Sequence, residues 1–72
     1  MRRTLLLPVA EAAERLGVSI VTLYRWINRG QVQAIRRGGR LRVVLLEIYP
    51  PGSEAPVYVA NEREADALLA KG

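Results

Sequence analysis

The chain has 72 residues, half of them apolar, and a net charge of +4. A chain this short forms one domain, too apolar for a disordered tail, that buries only about 60% of its unfolded surface and so needs a compact core or a partner to complete it. Cysteine and histidine are both absent, which excludes disulfides, thiol and imidazole chemistry and the usual zinc sites, so no metal and no cofactor is expected.

At the N-terminus, Arg2-Arg3 followed by Leu5-Leu6-Leu7 is similar to the start of a signal peptide. The apolar run is too short for one, and Glu11 interrupts it. No stretch approaches the length of a membrane span, so a cytoplasmic protein with no membrane association is expected. The first helix should open at Pro8, which suits the first helical position because it lacks an amide hydrogen. Val9, Ala12, Ala13 and Leu16 then recur at i, i+3, i+4 and i+7, giving one buried stripe that Gly17 ends.

Ser19 is a good N-cap for a second helix running to about Arg29 and stopping at Gly30. Ile20, Leu23 and Ile27 are its expected buried positions, with Trp26 on the flank. The other face carries Val21, Arg25 and Asn28, with Tyr24 and Arg29 at its edges. Two helices joined by so short a turn have the form of a helix-turn-helix.

After Gly30 the period changes. Gln33 to Arg37 and Arg40 to about Ile48 are extended runs on either side of Gly38-Gly39, a hairpin signal. Arg36, Arg37, Arg40 and Arg42 surround the turn and give a wing with a charged tip. Leu41, Val43 and Leu45 point to one face of the second strand, and Val44, Leu46 and Ile48 to the other. Both faces therefore need cover: the first two helices on one side, and a C-terminal helix or a second subunit on the other. Pro50-Pro51-Gly52-Ser53 breaks the chain, Val57-Tyr58-Val59 reads as a short strand, and Asn61 with Glu64 resembles a capping box. It opens a last helix whose apolar face is Ala65, Leu68 and Leu69.

The fold expected is α+β: a winged helix-turn-helix with two N-terminal helices, a β-hairpin wing with room for a third strand, and a C-terminal helix. Residues 1–49 would form the winged helix-turn-helix core. Residues 50–72 would form a strand-helix extension that packs on the wing sheet or mediates self-association. Charge follows the same division. Residues 1–46 hold nine arginines against Glu11 and Glu14, a net +7, and residues 47–72 hold Arg63 and Lys71 against five acids, a net −3. Such asymmetry suggests a polyanion-facing part and a solvated or partner-facing part. Ten of the eleven basic residues are arginine, whose planar fork makes paired hydrogen bonds to phosphate or guanine.

The run from Leu6 to Ser19, LLPVAEAAERLGVS, resembles the first half of the excisionase and MerR-like winged helix-turn-helix domains. Thr22 to Gly30, TLYRWINRG, is similar to their recognition helix, and Gln31 to Val43 to their wing. The resemblance covers about residues 5–44. It implies double-stranded DNA binding, with a recognition helix over about 19–29 in the major groove and a wing over about 33–46 on the backbone or minor groove. By position, Ser19, Val21, Thr22, Arg25 and Asn28 would face DNA, and Tyr24 and Arg29 would touch phosphate or brace the helix. Arg36, Arg37, Arg40 and Arg42 match the wing. Three departures stand out. Ile20 and Val21 replace a polar pair, Pro8 replaces a threonine or serine cap, and Val44-Leu45-Leu46 continues a strand where the family usually starts a helix.

For base contact, Arg25 suits guanine, Asn28 suits adenine, and Val21 suits a thymine methyl group. The wing arginines suit phosphate or the minor groove. The low aromatic content argues against a single-strand platform. No base lies near Ser19 or Ser53, and no carboxylate pair or phosphate loop is visible, so the chain is not expected to be an enzyme. It would act as a small transcription regulator or an excisionase-like recombination factor. Copies would bind as dimers or side by side on DNA, with a recombinase or the transcription machinery as further partner. The alternative is a protein-interaction module, a phage or accessory factor, on a winged-helix scaffold without sequence-specific DNA binding.

Overall fold

The computed structural model describes residues 2–70. In chain order it has strand β1 (Arg2–Pro8), helices α1 (Val9–Leu16) and α2 (Ile20–Asn28), strands β2 (Ala34–Arg37), β3 (Arg40–Ile48) and β4 (Val57–Val59), and helix α3 (Glu62–Ala70). The architecture is α+β, a small winged helix-turn-helix with three helices on one antiparallel four-stranded sheet. β3 is the centre of that sheet. β1 runs along one edge of it, from Pro8 opposite Arg42 to Arg2 opposite Ile48. β2 and then β4 share the other edge, paired with Arg40–Val43 and Leu46–Ile48 respectively.

β1 is an addition to the expected elements. Thr4-Leu5-Leu6-Leu7 has no polar alternation, and its strand character comes from pairing with β3 far along the chain. Pro8 is consequently the last residue of β1 and the N-cap of α1, with ψ 152, and the helix proper starts at Val9. Proline tolerates that junction because no helical hydrogen bond is asked of its nitrogen.

α1 ends as its sequence suggests. Gly17 takes a left-handed conformation, φ 72, its N–H donates to the Glu14 carbonyl, and the Val18 N–H donates to Ala13. This is the Schellman arrangement, which satisfies the last carbonyls at a backbone angle that costs glycine nothing. α2 ends on the same pair of bonds, from Gly30 to Ile27 and from Gln31 to Trp26.

The sheet has two covered faces. On one, Ala12 and Ala13 of α1, Leu23 of α2 and Val32 pack against Val43 and Leu45 of β3. On the other, Ala65 of α3 packs with Leu46, Ile48 and Val59, flanked by Leu68 and Leu69. Both sides of β3 are apolar because each meets a helix layer, and α3 supplies the second cover from within the chain. The expected stripe on α2 needs one correction. Leu23 is fully buried, but Ile20 is 46% exposed. Burial is centred on Leu23 and takes in Trp26 and Ile27, which leaves Ile20, in the first turn, at the edge of the stripe.

Candidate nucleic-acid interface

The sequence-derived site residues lie on α2, at its two caps and on the β2–β3 hairpin. Ser19 caps α2: its hydroxyl accepts the Thr22 N–H at 3.1 Å and donates to Thr22 Oγ1 at 3.0 Å. Such a cap is worth about 1 kcal/mol and fixes the angle at which the helix begins. Both hydroxyls are thus engaged with each other at the N-terminal end. Further along, Val21, Tyr24, Arg25, Asn28 and Arg29 are all exposed, while Thr22 is half-buried. Arg25 and Asn28, three positions apart, are neighbours on the open face.

The wing turns at Gly38 and Gly39, with φ 58 and 78, the double-positive combination of a type I′ hairpin. Its register sorts the four wing arginines by face, because cross-strand partners share a side. Arg37 lies opposite Arg40, and Arg42 lies two residues further along β3 on that same side. Arg36, opposite Leu41, points to the other side, toward the α1–α2 layer. Like charges directly opposite one another repel, so this tip is a place where an anion relieves a cost already present in the fold.

Pairing divides the arginines further. Arg2 bridges Glu62 and Asp66 of α3, the latter at 3.1 Å, and Arg3 meets Glu47 at 2.9 Å. Arg15 lies 4.0 Å from Glu11, donates to the Tyr58 hydroxyl at 2.6 Å and sits 5.0 Å from the centroid of that ring. The Tyr58 hydroxyl in turn donates to Glu47 at 3.0 Å. Glu47, only 7% exposed, is therefore the hub of a chain joining β1, β3, β4 and α1. Among the described residues, Arg25, Arg29, Arg36, Arg37, Arg40 and Arg42 have no acidic partner, and neither does Arg63 on α3.

Residue counting along the sequence missed this network and credited Arg2, Arg3 and Arg15 to the polyanion-facing part. One signal was available: Glu47 is a lone acid inside an apolar strand, where a buried carboxylate needs a cationic or hydroxyl partner. Among the described residues no cluster of acidic side chains could hold a metal ion, and no helix is long and apolar enough to cross a membrane.

Comparisons with curated proteins and with solved structures found no match. A family model described as a helix-turn-helix domain matches residues 6–45, which take in α1, the turn, α2 and the wing hairpin. That is more than half of the chain, and it makes the protein a member of the helix-turn-helix domain family.

Proposed function

We propose that the chain binds double-stranded DNA sequence-specifically, with α2 in the major groove and the β2–β3 wing on the backbone or minor groove. One observation carries this reading: among the described residues, six of the seven arginines without an acidic partner lie on α2, its C-cap and the wing, Arg63 of α3 being the seventh, while Arg2, Arg3 and Arg15 are engaged by carboxylates elsewhere. Membership of the helix-turn-helix family supports the same partner. In this reading Arg25 and Asn28 contact base edges, Val21 and Thr22 line the groove, and Ser19, Tyr24 and Arg29 lie against the backbone or brace the helix. Arg36, Arg37, Arg40 and Arg42 neutralise phosphate.

The role is that of a binding module rather than an enzyme: a small transcription regulator, or an excisionase-like or MerR-like recombination or regulatory factor, working in the cytoplasm. One reading head contacts few base pairs, so useful specificity requires dimers or adjacent copies on DNA. Residues 50–72 brace the wing sheet in this scheme and offer an acidic surface to a second copy, a recombinase or the transcription machinery.

The test is a titration against random duplexes at two salt concentrations, followed by sequencing of the bound fraction. Salt-sensitive binding with an enriched motif is expected, because neutralised phosphates release counterions. Arg25→Ala should then relax preference at one or two positions by about 1–3 kcal/mol of discrimination. A second reading has support in the exposed Ile20, Val21 and Tyr24 and in the acidic C-terminal third: a protein-interaction module on the same scaffold. The absence of binding at either salt concentration would favour it.

A further inference from the structure

The N-terminal half of α2 has a surface at odds with hydrogen-bonded base readout. Ile20, Val21 and Tyr24 are 46%, 64% and 44% exposed. Tyr24 lies three residues after Val21 and four after Ile20, so the three form one continuous patch. Apart from the phenol of Tyr24 at the rim of the patch, the nearest hydroxyls, on Ser19 and Thr22, hydrogen-bond to each other at 3.0 Å and hold the cap. Arg25 and Asn28 continue the face from Val21 and Tyr24, so the patch and the polar pair form one strip along the helix.

Resting on the DNA-binding reading above, we propose that Ile20, Val21 and Tyr24 form a methyl-reading surface. It recognises the C5-methyl groups of thymine, or of 5-methylcytosine, at the positions the N-terminal half of α2 meets. The argument is one of elimination by chemistry. In the major groove every base edge offers donors or acceptors, and burying these against an aliphatic side chain leaves them unpaired. The C5-methyl group is the one apolar feature there, and covering it removes apolar surface on both partners from water. Val21, the most exposed of the three, is the residue of closest approach. Ile20 and the ring of Tyr24 flank it and exclude water from the contact, while the Tyr24 hydroxyl is left for the backbone. The flanking Arg25, Arg29 and wing arginines hold the patch against the groove by charge, which an apolar surface cannot do for itself.

The experiment takes the preferred duplex from the random-pool selection and replaces each thymine in turn by deoxyuridine, which removes only the methyl group. Affinity is read by fluorescence anisotropy. Each methyl that the patch covers should be worth about three- to fivefold in Kd, the equivalent of one buried methylene. Val21→Ala should shrink that ratio toward one at the same positions, whereas Arg25→Ala should leave it intact. Where cytosine is tolerated at such a position, methylating it should tighten binding by a similar factor. Equal affinity for thymine and deoxyuridine duplexes at every position, with salt-sensitive binding retained, overturns the methyl-reading surface and leaves DNA binding standing. Loss of the methyl effect in Arg25→Ala but not in Val21→Ala overturns the assignment to this patch. No salt-sensitive binding to any duplex removes the underlying reading and the inference with it.

Discussion

The two ends of β3 treat arginine in opposite ways. At the Leu46–Ile48 end, the neighbouring arginines of β1 and α1 are drawn into a network with Glu47, Tyr58 and the carboxylates of α3. At the Arg40–Val43 end, Arg37, Arg40 and Arg42 share one side of a hairpin with no acid beside them among the described residues. A guanidinium already hydrogen-bonded to carboxylate has little left to offer phosphate, whereas one facing another guanidinium gains on meeting an anion. Positive charge counted along the sequence is therefore a poor measure of charge available for binding. The first end holds the sheet together and the second is left free for a partner.

The largest expected effect tests whether the paired end is structural. Removing residues 50–72 strips β4 and α3 from the sheet, exposes Leu46 and Ile48, and deprives Glu47 of Tyr58. Each uncovered Leu or Ile forfeits about 1.5–3 kcal/mol of burial, against about 5–15 kcal/mol for the whole stability of an ordinary domain. Aggregation or a collapse in melting temperature is expected. A truncated chain that stays soluble and melts where the full chain does would show the C-terminal elements to be ornament.

A single substitution sharpens the same contrast. Glu47→Ala leaves Arg3 without its carboxylate and the Tyr58 hydroxyl without its acceptor, and should lower stability by about 1–3 kcal/mol. Urea denaturation measures it. The salt dependence of DNA binding should not move, because Glu47 lies away from α2 and the wing tip. The double variant Arg37→Ala, Arg40→Ala should do the reverse. Relieving a like-charge pair leaves stability within about 0.5 kcal/mol of the parent, or slightly above it. The slope of log K against log salt should shrink by about 0.9 for each phosphate that is no longer neutralised. An unchanged slope would mean that the wing does not touch DNA.

How much of this was visible beforehand depended on sequence distance. The helix-turn-helix was legible because its signals are local: the alanine stripe of α1, Gly17, the Ser19 cap and Gly30 each act within a turn or two. The Gly38-Gly39 turn and the Asn61 cap, whose Oδ1 accepts the Glu64 N–H at 2.8 Å, are local as well. The candidate site on α2 and the wing followed from those elements, since their open faces are set once the buried ones are. β1 was not legible, because its strand state rests on pairing with β3 and its own residues carry no alternation. Nor was the exposure of Ile20, which depends on how far Trp26 draws the burial of α2 to its own side. The fates of Arg2 and Arg3 were hidden for the same reason: their partners lie at Glu47, Glu62 and Asp66.

Arg2 therefore supplies the smallest effect and the most direct check on the contrast. It joins the start of β1 to two carboxylates one helical turn apart on α3, but all three side chains remain substantially open to water. Exposed pairs of this kind are worth about 0–1 kcal/mol, because solvent screens the charges and ordering the side chains opposes the gain. Arg2→Ala should accordingly lower stability by less than about 1 kcal/mol, and the deficit should fade as salt is raised. DNA affinity and its salt slope should match the parent, since this arginine is already neutralised by α3 at the end of β3 far from the wing tip. If Arg2→Ala instead weakened DNA binding as a wing substitution does, Glu62 and Asp66 would be yielding Arg2 to phosphate. The polyanion-facing surface would then extend along β1, and pairing in the free protein would no longer distinguish the two ends of the sheet.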